Sequence, residues 1–231
     1  MRLLPLNLAT FKLNEGQNMS LKRSSAEALE RKTSTLVVVE TTDLLLGEAR
    51  AVIEGADHMT HKPTLIASLL LVSGRRTAEI TNGHSTFTEV LGQDHHALFE
   101  GQLKQRGNAK PYTIPLLVPF KVFIHGFTTL QCMQGHEKLP NDKAKDKYQS
   151  MVADAVSEPV LKKLPHGKNT PHTLRSIYVA IVDSVFTHKF PKAGLTKQVL
   201  GHSDSNDSLH YSSVRLDPLP TTSLGELPVY G

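Results

Sequence analysis

The sequence predicts an α+β fold, mainly helical, with a small antiparallel sheet. Apolar residues recur at helical spacing up to Gly74 and again from Pro119 onward. Between them, Thr86–Val90 alternates with Phe87 as its bulky member, and the runs 97–104 and 112–116 follow. Gly107 and Asn108 sit between those two runs as a turn signal, which predicts about three antiparallel strands.

Taken in order, residues 1–40 are read as an N-terminal extension, polar and weakly patterned up to about residue 34, in which Ser24–Lys32 reads as a short charged helix. The main domain is expected over 41–217. Apolar clusters between residues 35 and 55 (Leu36–Val38, Leu44–Leu46, Val52 and Ile53) read as one or two helices. Pro63 opens the next helix, Leu65, Ile66, Leu69 and Leu70 share one of its faces, and Gly74 ends it. After the sheet, the glycine- and proline-punctuated 135–147 reads as a loop or helix start. Helices are expected at about 148–163, 171–187 and 195–201, and a last short one from near Ser205 carries Tyr211. The tail, 218–231, contains Pro218, Pro220 and Pro228 and reads as lying outside the core.

Composition narrows the function. The chain has 231 residues, 39% of them hydrophobic, and no stretch approaches a membrane span. Pro5 and Asn7 break the short apolar N-terminus, so it does not read as a signal peptide, and an intracellular protein is expected. The formal charge of +4 suits a polyanion-binding protein without requiring one. The single cysteine, Cys132, is expected to be a buried thiol. Neither His58 with His61 nor His84 with His95 and His96 makes a metal motif, and no Walker or Gly-x-Gly loop is present, so no metal or cofactor is expected.

The chemistry-bearing residues fall in four places. In Thr170-Pro171-His172-Thr173-Leu174-Arg175, Thr170 suits an N-cap and Pro171 the first helical position. Leu174, Ile177, Tyr178 and Ile181 form a core-facing stripe, which leaves His172 and Arg175 together on the other side as an anion site at a helix N-terminus. Leu200-Gly201-His202 is followed nine residues later by Tyr211. Upstream, Ser73-Gly74-Arg75-Arg76-Thr77-Ala78-Glu79-Ile80 places arginines just past a helix end. Gly101-Gln102-Leu103-Lys104-Gln105-Arg106 lies between, at the end of the second strand.

These boxes, in this order, resemble the tyrosine recombinase superfamily. Within it, Gly-Arg-Arg-x-x-Glu-Ile, Phe-x-Gly-Gln-x-Lys, Tyr-x-Ile-Pro and Leu-Arg-x-Ile-Tyr resemble the catalytic domain of telomere resolvases, or protelomerases. Full-length relatives are longer and carry a helical DNA clamp before the catalytic domain, whereas here the first box already begins at Ser73. The resemblance implies a tyrosine-recombinase-like domain with Arg76 as a catalytic arginine, Glu79 as its buttress and Tyr211 as the nucleophile. It further implies double-stranded, palindromic DNA as partner and a homodimer working on it. The tail would then dock on the partner subunit.

The chemistry agrees. A phosphodiester under attack builds charge on its nonbridging oxygens, and paired guanidinium donors stabilise that charge. Arg76 and Arg175 are assigned to the clamp, and His202 to a further hydrogen bond. His172 sits by the nucleophile or the clamp as a candidate proton acceptor. Lys104 is the candidate general acid, with Arg106 and Lys110 as alternatives nearby. Tyr211 would form a 3′-phosphotyrosine, an ester that stores the bond without ATP or metal. Each residue also has a plainer reading: Arg76 as a helix-end partner of Glu79, Lys104 as a solvated lysine, His172 as a cap, His202 as a turn residue and Tyr211 as a core aromatic. Two rival functions remain: strand exchange between duplexes, as by an integrase or site-specific recombinase, and non-catalytic DNA binding.

Overall fold

The computed structural model describes Met19, Ser20, Arg23 and residues 37–39, 42–103, 110–156, 170–201, 214–221 and 223–227. Its elements are strand β1 (Val37–Val39), helices α1 (Thr42–Glu54), α2 (Lys62–Ser73) and α3 (Thr77–Thr81), strands β2 (Thr86–Glu89), β3 (His96–Glu100) and β4 (Tyr112–Pro115), and helices α4 (Phe120–Met133), α5 (Asn141–Val156) and α6 (Pro171–Val185). Strand β5 (Phe186–Thr187), helix α7 (Lys192–Leu200), and strands β6 (Val214–Leu216) and β7 (Gly225–Glu226) complete them. The expected helical α+β architecture with a three-stranded antiparallel sheet is what the chain forms.

Helix α2 is the axis of the fold. The sequence from Leu65 to Val72 is apolar apart from Ser68, and every residue of that run is buried. A helix buried all round must be enclosed by neighbours, and α1, α4, α5 and α6 pack around it. Each fully buried Leu or Ile there contributes about 1.5–3 kcal/mol. Gly74 ends α2 in the left-handed conformation (φ 63°), and its N–H donates to the Leu70 carbonyl at 2.9 Å. A Cβ at Gly74 would lie 2.2 Å from the Tyr178 ring. Only glycine lets α6 approach this closely.

The sheet has the order β2-β3-β4, with Phe87 opposite Phe99 and Phe99 opposite Tyr112. Helix α4 presents Phe120, Phe123, Phe127 and Leu130 as a buried stripe. Phe87 meets Phe99, Phe123 and Phe127 at centroid separations of 5.0, 4.8 and 4.8 Å, and this aromatic cluster fastens sheet to helix. The Tyr178 hydroxyl, from α6, donates to the Pro115 carbonyl at the end of β4 at 2.8 Å.

Several expectations need correction. Val37–Val39 is a strand, not helix, and pairs in parallel with β6; three β-branched residues suit a strand. Helix α5 begins at Asn141, within the stretch 135–147 expected as a loop or helix start and ahead of the first helical residue expected near 148. Cys132 is exposed rather than buried, because it lies off the stripe that α4 turns inward. The tail is not wholly outside the core: Leu227 is buried, β7 pairs in parallel with β5, and the Leu224 N–H donates to Val185 O at 2.8 Å. The possible helices at Ser24–Lys32 and near Ser205, and the Gly107–Asn108 turn, lie outside the described residues.

His96 opens β3 buried, edge-on to Phe186 at a 5.6 Å centroid separation. Burial first, and His95 beside it second, push its pKa down from 6.5 to about 4. The unfolded chain therefore takes up a proton near pH 6.5 that the folded chain refuses until about pH 4. Wild-type stability in urea should fall as the pH drops across that window, and His96→Gln should lack this part of the slope.

Candidate active site

Helix α3 follows α2 after a break at Gly74-Arg75-Arg76, and the first turn of α3 carries Glu79 inward. Glu79 is completely buried and organises the surroundings. Its Oε2 accepts the Arg76 backbone N–H at 2.9 Å, so the acid caps its own helix. Its Oε1 accepts Arg76 Nη1 at 2.8 Å and the Leu103 N–H at 3.0 Å. Arg175 Nη1, arriving from α6, lies 3.8 Å from Oε2. Burial alone would raise the Glu79 pKa, but Arg175, Arg75 and Arg76 together outweigh it and hold the carboxyl below its ordinary value of 4.5.

One carboxylate thus faces three guanidiniums, leaving the cluster net positive. Arg76 keeps 25% of its side chain exposed, while Arg175 keeps 3%. A positive, largely desolvated pair with one accessible edge is suited to gripping an anion that approaches from solvent.

The last carbonyls of α7 converge on the same place. Helix C-termini leave such groups without intrahelical partners. Here Arg75 Nη2 donates to Val199 O at 2.5 Å and Arg175 Nη2 to Leu200 O at 3.3 Å. Gln102 Nε2 donates to Leu200 O at 3.2 Å and also to Gly201 O. Gly201 closes the helix in the left-handed conformation (φ 63°). A Cβ there would come within 2.5–2.6 Å of the Gln102 amide and the Tyr112 hydroxyl. The glycine of Leu-Gly-His therefore serves both a turn and a close approach.

Arg75 is structural. It is buried, bonds the Tyr112 hydroxyl and Ser73 O, and lies over the Phe99 and Tyr112 rings at 5.0 and 5.7 Å. The described tyrosines are likewise committed to the core: Tyr112 bonds Arg75, Tyr178 bonds Pro115 O, and Tyr148 is buried.

Of the residues singled out in the sequence, Arg76 and Arg175 are brought together by Glu79. Arg175, expected to point away from the core stripe, is instead buried with it, because its partners Glu79 and Leu200 lie inside. His172 is exposed in the first turn of α6, one helical turn before Arg175. Lys104, His202 and Tyr211, with the alternative Arg106, lie outside the described residues; their chain neighbours Leu103 and Gly201 are anchored at the cluster. Sequence reasoning missed the roles of Gln102 and Tyr112, although both stand inside quoted boxes. Nothing local reveals that Gln102 reaches carbonyls 98 and 99 residues away.

Residues 35–213 match the family described as the telomere resolvase ResT/TelK catalytic domain. The chain belongs to that family. The resemblance drawn from the boxes is thereby borne out. No curated protein matches in sequence. Protelomerase TelA covalently complexed with substrate DNA aligns with a TM-score of 0.74 at 20% identity, over 88% of this chain and 67% of that one. A TelA mutant complexed with a DNA hairpin product gives 0.72 at 18%, with the same coverage. Protelomerase TelK complexed with substrate DNA gives 0.73 at 20%, over 94% of this chain and 45% of that one. At these identities the likeness establishes a shared fold. This telomere resolvase domain thus spans about two thirds of the TelA chain and under half of the TelK chain. Among its described residues, no helix is long and apolar enough to cross a membrane.

Glu79→Gln keeps the size and removes the charge that balances the arginines. Breaking a buried ionic network of this kind costs about 3–5 kcal/mol, to be read by urea denaturation at neutral pH. The depressed pKa places the carboxylate's contribution above about 4.5 and removes it as the pH falls through the lower folded value. The two unfolding curves should therefore converge on acidification.

Proposed function

We propose that this telomere resolvase domain cuts both strands of a palindromic duplex and rejoins each strand to its own complement, leaving hairpin ends. The observation that carries this reading is the Glu79-centred cluster. It seats the two clamp arginines and anchors the residues adjoining both Lys104 and His202.

Tyr211 attacks phosphorus. A bond forms from its phenolic oxygen, and the bond to the 5′ oxygen breaks. Lys104 gives its proton to that departing oxygen, while Arg76 and Arg175 hold the nonbridging oxygens and His202 adds a hydrogen bond. His172 stands one turn from Arg175 as the candidate proton acceptor. In the second step the free 5′ hydroxyl of the complementary strand attacks the phosphotyrosine and releases Tyr211. The ester conserves the bond, so no ATP is needed. Symmetric chemistry on a two-fold DNA site calls for a dimer. Tyr112, Tyr148 and Tyr178 are occupied in the core, which supports Tyr211 as the nucleophile.

A library of inverted-repeat duplexes should yield substrates by capture of denaturant-resistant protein–DNA adducts, and the recovered duplexes should be converted to hairpin ends. Tyr211→Phe should abolish capture, and an adduct that survives it would identify another nucleophile. Arg175→Lys keeps charge but loses the fork; it should slow single-turnover cleavage by about 10²–10³-fold with DNA affinity largely retained. Swapped arms between two duplexes would indicate strand exchange instead.

A further inference from the structure

Gln102 is a half-buried side chain with a demanding set of partners. Its amide donates to both Leu200 O and Gly201 O, the last carbonyls before His202. Two residues further along the chain is Lys104, and the intervening Leu103 is pinned on both sides: its N–H to Glu79 Oε1 at 3.0 Å, and its carbonyl to Arg76 Nη1 at 3.2 Å. The carbonyls of α7 do not depend on Gln102 alone, because Arg75 holds Val199 O and Arg175 holds Leu200 O. Loss of the Gln102 amide would therefore leave α7 in place and leave Leu103 held by Glu79 and Arg76 alone, without the tie from this chain to the Leu200–Gly201 turn.

We propose that Gln102 is a positioning residue for proton transfer by Lys104: it ties the chain at Gln102–Leu103 to the Leu200–Gly201 turn. This rests on the functional reading above. A primary amide suits the task because one –NH2 group can serve two carbonyls. A carboxylate of the same size would face those carbonyls with acceptors only. The space for the amide exists because position 201 has no Cβ.

The test uses Gln102→Glu and Gln102→Ala in the full chain, with the buried Val152→Ala on α5 as a packing control. The probe is a duplex recovered by adduct capture, made with either oxygen or sulfur at the scissile 5′ bridging position. With oxygen, the P–O bond breaks and the leaving group takes a proton from Lys104. With sulfur, the P–S bond breaks and a thiolate departs without needing that proton. Both Gln102 variants should cleave the oxygen substrate about 100-fold more slowly than wild type, the scale of a misplacement of about 1 Å. DNA affinity should hold, and most of the gap should close on the sulfur substrate. Val152→Ala should show no such preference for sulfur. Equal loss on both substrates, or wild-type rates on oxygen, would overturn the proposal.

A second arm needs no DNA. Hydrogen–deuterium exchange in the peptide spanning residues 101–104 should speed up in Gln102→Glu while α7 is unchanged, and unaltered exchange there would also overturn it. Should wild-type protein give no Tyr211 adduct, the functional reading has failed, and the exchange result still decides whether Gln102 tethers this segment.

Discussion

A single buried carboxylate governs the centre of this protein. Glu79 cannot remain ionised without cations around it, and the arginines cannot lie so deep without it. Their mutual requirement brings α3 and α6 to one point. The same oxygens also take the Leu103 N–H, so the chain leaving β3 is registered to that point as well. Helix ends supply the remaining order. Gly74 stops α2 where the arginines must begin, and Gly201 stops α7 where its carbonyls meet Arg75, Arg175 and Gln102.

Such a centre has a functional logic beyond stability. A phosphate clamp of the kind proposed for Arg76 and Arg175 must be rigid before the substrate arrives, or it spends binding energy on ordering itself. Arg76 is held at both the guanidinium and the backbone by one acid, and it still reaches solvent. Arg175 contributes charge from a nearly water-free position. The family supplies the reaction class, and this arrangement supplies a reason why the two arginines stand at their particular places in the sequence.

Much of this was legible in the residues themselves. Alternation with a bulky Phe87, followed by two further runs, marked the sheet, and Pro171 after Thr170 marked the start of α6. What local pattern could not show was partnership across the chain. Arg175 has the spacing of an outward residue, yet it is drawn inside by a carboxylate on another helix. Val37–Val39 looked helical because its strand partner lies at Val214–Leu216, beyond the reach of any window. The tail looked detached because two prolines precede Leu224 and Leu227, whose burial depends on β5. Gln102 and Tyr112 could be copied from a motif, but their duties appear only once α7 is seated between them.

The pairing of β1 with β6 bears on Tyr211, the nucleophile of the proposed reaction. Val214 is fixed in that small parallel sheet, and Tyr211 is only three residues before it. Three extended residues span at most roughly 10 Å. A broken DNA strand ester-linked to that phenol would be kept on a short leash, with its far end anchored in the body of the domain, and could not drift away in the interval before resealing.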